Sequence, residues 1–84
     1  MPFVVYIIQS QKDGSYYVGS AQDITGRIER HNQGRSKYTK SKRPWKIVHI
    51  EEFDTRSEAH KRERQIKSRK SLDYIEKLVR SSRL

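Results

Sequence analysis

Two phenols, a guanidinium, an imidazole and a carboxylate stand out along the chain as groups that do chemistry: Tyr6, Tyr17, Arg27, His31 and Glu63. A guanidinium can clamp a phosphate through two parallel N–H donors and offset the charge that builds during phosphoryl transfer. An imidazole can orient a nucleophile or take its proton. Glu63 falls on the apolar face of a helical pattern, where an unpartnered carboxylate costs several kcal/mol, so a cation should meet it. That cation is either a neighbouring arginine or lysine, or a divalent ion completed by waters and a substrate phosphate, as suits Mg²⁺; failing both, the carboxylate stands at a border and reaches solvent. Each group also has a plainer reading: a solvated arginine, an exposed helix histidine, and two core-edge tyrosines with their hydroxyls tied to partners. Taken together, they describe one site at the end of a hairpin.

The elements that must position these groups follow from the apolar pattern. "FVVYIIQ" (3–9) and "YYVG" (16–19) read as strands, with Asp13-Gly14 between them as a two-residue hairpin turn. Such a turn sets Ser10 opposite Tyr17, and because strand side chains alternate, Tyr17 shares a face with Tyr6 and Ile8. Asp23 can cap a helix over about residues 24–33 that Gly34 ends. Ile24 and Ile28 form its buried stripe. Arg27 and His31 form a parallel stripe about 100° round, expected at a border between core and water. "WKIVHIEEF" (45–53) reads as a third strand, whose nearly unbroken apolar run points to a central position. "TRSE" (55–58) is a capping box that opens a helix running to about Lys67, with Glu63 on the same face as Ala59 and Ile66. Leu72, Ile75, Leu78 and Val79 repeat at helical spacing and predict a last helix over 71–79.

At 84 residues there is room for one domain, spanning 1–84. The 35% charged content would suit a disordered chain, but the apolar residues gather into runs at strand or helix spacing, so a folded domain is expected. The absence of cysteine removes disulfides, thiolate nucleophiles and Cys-type zinc sites, and His31, His49 and His60 lack any close zinc spacing. No stretch approaches the ~18 apolar residues of a membrane helix and no signal-peptide blocks open the chain, so a soluble, cytoplasmic protein is expected.

The formal charge of +9 favours a polyanion as partner, because bound phosphates release condensed counterions. The charge is concentrated. "RSKYTKSKRPWK" (35–46) holds no acid and interleaves Tyr38 and Trp45 as stacking surfaces, which makes Arg35, Lys37, Tyr38, Lys40, Lys42 and Arg43 candidate nucleic-acid contacts. A second basic run, "KRERQIKSRK" (61–70), contains the single acid Glu63. The plainer reading is a solvated basic surface that keeps a small protein in solution.

"VVY" at 4–6, "YVG" at 17–19, Arg27, the "HN" of His31 and Asn32, and an "EAxxxE" helix carrying Glu63 together resemble the GIY-YIG nuclease family. The similarity spans most of the chain. It is nearest to the small stand-alone bacterial members and similar in outline to the nuclease module that opens the UvrC repair subunit. The first triplet is VVY rather than GIY and the second YVG rather than YIG, changes that keep both tyrosines and the glycine of the second triplet. Some members carry an asparagine beyond the metal-binding glutamate, and this chain has none after Glu63.

The resemblance implies an α/β (α+β) fold, with a three-stranded antiparallel sheet flanked by three helices. It implies hydrolysis of a phosphodiester with a single divalent ion, Mg²⁺ or Mn²⁺. By position, Tyr17 is similar to the residue that activates or positions the attacking water, and Tyr6 to its companion on the adjacent strand. Arg27 would hold the scissile phosphate, His31 would assist proton transfer, and Glu63 would bind the metal. A phenol can act as a base only where nearby cations stabilise its phenolate, so the ion would serve both purposes. The expectation is a DNA endonuclease of repair or recombination, with nucleic acid as partner, DNA ahead of RNA, and a monomer or weak dimer away from membranes. The alternative is a basic DNA- or RNA-binding module on the same fold with weak or no hydrolysis. A third reading is an interaction protein that dimerises through its last helix.

Overall fold

The chain's first strand, β1 (Phe3–Ser10), is buried on both faces along almost its whole length. That fits its position in the computed structural model, which describes residues 2–82: β1 lies between β2 (Tyr16–Ala21) and β3 (Trp45–Phe53) in an antiparallel sheet of order β2-β1-β3. Of the expected 1–84 domain, Met1, Arg83 and Leu84 lie outside the described residues. β3 is therefore an edge strand, which corrects the central position its apolar run suggested. Helices cover both faces of the sheet, so even an edge strand must be apolar on both sides: Ile47 joins the core on one face and Val48 the core on the other.

Helix α1 (Ile24–Asn32) covers the face carrying Tyr6, Ile8, Ala21 and Trp45, with Ile24 and Ile28 packed against them. Asp23 caps it, its carboxylate accepting from the Gly26 amide at 3.1 Å. Helices α2 (Arg56–Ser68) and α3 (Leu72–Ser81) cover the opposite face, where Val5, Ile7 and Val18 meet Ala59 and Ile66 of α2 and Ile75, Leu78 and Val79 of α3. Each fully buried aliphatic side chain of this kind contributes about 1.5–3 kcal/mol. Leu72 stands apart at 59% exposed, outside the buried stripe expected of it, because it is the first residue of α3 and precedes the turn that reaches the core. At the start of α2, the Thr55 hydroxyl oxygen accepts from the Glu58 amide at 3.2 Å. The Glu58 carboxylate accepts from the Thr55 hydroxyl rather than from its backbone N–H, so half of the expected capping box is formed.

The hairpin also differs from the expectation. Its loop winds around the buried Ser10 hydroxyl, whose oxygen accepts from the amides of Lys12 and Asp13 and whose proton goes to the Lys42 carbonyl at 2.7 Å. Gly14 supplies a φ of +79° as the chain returns, and Tyr17 pairs with Ile8 instead of facing Ser10. The satisfied Ser10 hydroxyl favours this longer loop over the two-residue turn. The pairing moves by an even number of residues, so the shared face of Tyr6 and Tyr17 is preserved.

Candidate active site

Side chains along β2 alternate across the sheet: Tyr17, Gly19 and Ala21 turn toward α1, and Ser20 turns toward α2. All four line one cavity of about 390 Å³, which therefore wraps around the free edge of β2 and receives groups from both layers of helices. Tyr6 and Arg27 line it from the α1 side and Glu63 from the α2 side. Four of the five expected reactive groups thus converge on one space. His31 does not line it, and no residue of the basic loop 35–43 does.

Tyr6 is only 1% exposed and its ring covers Gly19. Burial, then the neighbouring Tyr17, pushes its phenol up to about 12, with Arg27 opposing the rise. At neutral pH it is a hydrogen-bonding phenol and not a phenolate. Its hydroxyl lies 3.1 Å from His31 Nε2. The Tyr17 hydroxyl, in contrast, has no hydrogen-bond partner among the described residues, while its ring packs edge-on against His31 and Trp45.

His31 is buried at 3% exposed, which corrects the border position expected from the helical stripe. The helical stripe describes α1 alone, whereas the segment after it folds back and closes over the imidazole: the Thr39 hydroxyl, fully buried, lies 2.8 Å from His31 Nδ1. Burial first, then the cations Arg27 and Arg30, hold its pKa below the ordinary 6.5, so the ring is neutral at pH 7. A neutral imidazole carries one N–H, so it donates on one side and accepts on the other, linking Tyr6 to Thr39. Asn32 fixes the end of α1 beside it. Its side-chain oxygen accepts from the Trp45 amide at 2.6 Å and its amide group donates to the Trp45 carbonyl at 3.1 Å.

Glu63 points into the site. Its Oε1 accepts from the Ser20 hydroxyl at 2.6 Å and its Oε2 from the Lys67 ammonium at 2.6 Å. Burial alone would raise the carboxyl, but the hydrogen bonds from Lys67 and Ser20 outweigh it and hold the pKa below the ordinary 4.5. The required cation is a lysine one turn along the same helix, and it is nearly half exposed. Among the described residues no cluster of three metal-ligating side chains exists, so any ion here would take most of its ligands from water and substrate.

Arg35, Lys37, Lys40 and Arg43 are exposed, Tyr38 is 85% exposed, and Lys42 is partly buried and paired with Asp13 at 3.5 Å. The basic run on α2 is divided. Arg62 forks onto both Glu51 oxygens at 2.7 and 3.1 Å and onto the Tyr74 hydroxyl at 2.9 Å, so it is a strut between β3, α2 and α3. Sequence reasoning missed Ser20 and Lys67, and it missed Arg56 and His60, which also line the cavity. Helical spacing was the available signal: Arg56, His60 and Lys67 lie seven and three residues before Glu63 and four after it, all on one side of α2.

The GIY-YIG catalytic domain family matches residues 2–75. A UPF0213 protein of Staphylococcus saprophyticus is 54% identical over 65 residues, covering 76% of this chain and 78% of that protein. A UPF0213 protein of Staphylococcus aureus is 49% identical over 65 residues with the same coverage, 76% and 78%. The solution NMR structure of a UPF0213 protein from Bacillus halodurans is similar with a TM-score of 0.58 and 35% identity, over 94% of this chain and 83% of that one. No helix among the described residues is long and apolar enough to cross a membrane.

Proposed function

The chain belongs to the GIY-YIG catalytic domain family, a family of nucleases, and from that premise we propose that it is a divalent-metal-dependent endonuclease that hydrolyses DNA phosphodiester bonds, in repair or recombination. The observation that supports this most is the convergence of Tyr6, Tyr17, Arg27 and Glu63 on one cavity at the edge of β2, with the Tyr17 hydroxyl left free.

In this reading Arg27 binds the scissile phosphate through its guanidinium and offsets the charge that builds on the phosphoryl oxygens. Tyr17 presents its hydroxyl to the attacking water, whose oxygen bonds to phosphorus as the opposite P–O ester bond breaks, leaving a phosphomonoester and an alcohol. Tyr6 stays protonated and keeps its place through His31, while Thr39 fixes the other side of the imidazole. His31 therefore acts through Tyr6 and does not touch the water.

An all-oxygen donor set of one carboxylate and neighbouring hydroxyls, already holding an ammonium, fits a hard divalent ion such as Mg²⁺ or Mn²⁺ at Glu63. Bound there, the ion would supply positive charge that acidifies water and neutralises the leaving oxygen.

The test is nicking of supercoiled DNA with Mg²⁺ or Mn²⁺. Glu63→Ala and Tyr17→Phe are expected to lower cleavage by at least about two orders of magnitude. Binding in EDTA and thermal stability stay near those of the parent. Cleavage that survives either substitution refutes the assignment. A second reading, a DNA- or RNA-binding module with weak or no hydrolysis, draws support from Lys67 closing the Glu63 carboxylate. It predicts salt-sensitive binding and no cleavage with either ion.

A further inference from the structure

Helix α2 carries more cations than its structural contacts use. Arg62 is consumed by Glu51, and Lys67 by Glu63. Arg56 and Arg64 are exposed and form no ion pair with any acid among the described residues. With His60 between them they stand at every fourth position, so the three form a row along one side of the helix with about 6 Å between neighbours, comparable with the separation of successive phosphates along a strand. That row borders the site. Arg56 and His60 line the cavity that holds Tyr17 and Arg27, and beyond it His60 and Glu63 line a second hollow of about 410 Å³ with Arg64.

Two details indicate that the row serves a ligand. As the first residue of α2, Arg56 sits where the helix dipole disfavours a cation. Its guanidinium rests over the Phe3 ring at 5.5 Å from the centroid, which holds the head in place without neutralising it.

We propose that Arg56, His60 and Arg64 form a phosphate-binding row that guides the nucleic-acid backbone along α2, holding the phosphates next to the scissile one on the side away from Arg27. This rests on the nuclease reading of the cavity. The row gives the substrate a direction: one flank of the cut is gripped by α2, across Glu63 from the phosphate that Arg27 binds. Contacts to a phosphate that does not react should act on binding and KM, with little effect on kcat.

The test uses the full chain and a fluorescein-labelled DNA duplex in EDTA, with affinity measured by anisotropy over a salt series. Arg56→Ala/Arg64→Ala is expected to weaken binding at least about tenfold at moderate salt and to lower the slope of log K against log salt by about 2. Lys61→Ala is the control, because Lys61 is a cation of the same helix that lies outside both hollows, beside Phe53 and Arg62. It should leave the slope within about 0.5 of the parent. Arg56→Lys/Arg64→Lys should restore most of the slope, and melting temperatures report that every variant folds. A double alanine variant that binds like Lys61→Ala overturns the row, as does a parent protein that binds no DNA. Parallel cleavage assays separate the two ideas. A slope that falls in a protein that never cleaves keeps the row and discards the nuclease, and an unchanged slope in a protein that cleaves does the reverse.

Discussion

The Tyr6 hydroxyl stands over the backbone of Gly19, so close that a β-carbon there would lie 2.5 Å from its oxygen and 2.7 Å from Cζ. The glycine of the "YVG" triplet is thus the floor on which one site phenol rests. The ring has no room to retreat, because it is 1% exposed and its hydroxyl is held by His31. Gly19→Ala is expected to cost about 1–3 kcal/mol through overpacking. For a domain of this size that lowers Tm by at least about 4 °C. Calorimetry reads the loss, and Tyr6→Phe in the same background should relieve part of it by removing the oxygen.

Lys67 donates to one carboxylate oxygen of Glu63 at 2.6 Å, and the Ser20 hydroxyl donates to the other. Lys67 is nearly half exposed but the Glu63 side chain is only 19% exposed, so Lys67→Met, which leaves the carboxylate with the Ser20 hydroxyl alone, should lower stability by about 1 kcal/mol, read from the denaturation midpoint. If Glu63 binds the divalent ion, the same substitution should tighten Mn²⁺ binding, measured by calorimetric titration without nucleic acid, and Glu63→Gln should abolish it. Equal Mn²⁺ affinity in the parent and Lys67→Met would show that the lysine is no competitor.

His31 makes stability depend on pH in a defined direction. Its folded pKa lies below the ordinary 6.5, so as pH falls the unfolded chain takes up the proton first. The stability it contributes is complete above pH 6.5 and is lost as pH falls from there through the folded value. Glu51 and Glu63, both below the ordinary 4.5, follow the same sign but begin to lose their share only below pH 4.5. Urea midpoints should therefore fall between pH 7 and about 5, and His31→Gln should flatten that part of the profile and leave the acid limb in place.

Tyr38 presents its ring to solvent at 85% exposure in the loop of exposed cations. Tyr38→Ala should change stability by less than about 0.5 kcal/mol. If the ring stacks on an unpaired base, the variant should weaken binding to a single-stranded oligonucleotide about tenfold. Unchanged affinity in an anisotropy titration would remove Tyr38 from the interface.

Much that depends on local periodicity could be read from the chain. Asp23 and Thr55 cap their helices through hydrogen bonds spanning three residues, and Glu63 shares the face of Ala59 and Ile66 because the helix repeat alone sets that direction. Even the wrong turn at Asp13-Gly14 left Tyr6 and Tyr17 on one face, since the strand repeat is two and the pairing moved by an even number. Tertiary structure decided what depends on which surfaces meet. The edge position of β3, the burial of His31 beneath Thr39, the seat of Tyr6 over Gly19 and the meeting of Ser20 with Glu63 all join residues that belong to different elements. Such contacts are selected by the packing free energy of the whole domain, which repeats of two and 3.6 residues do not encode.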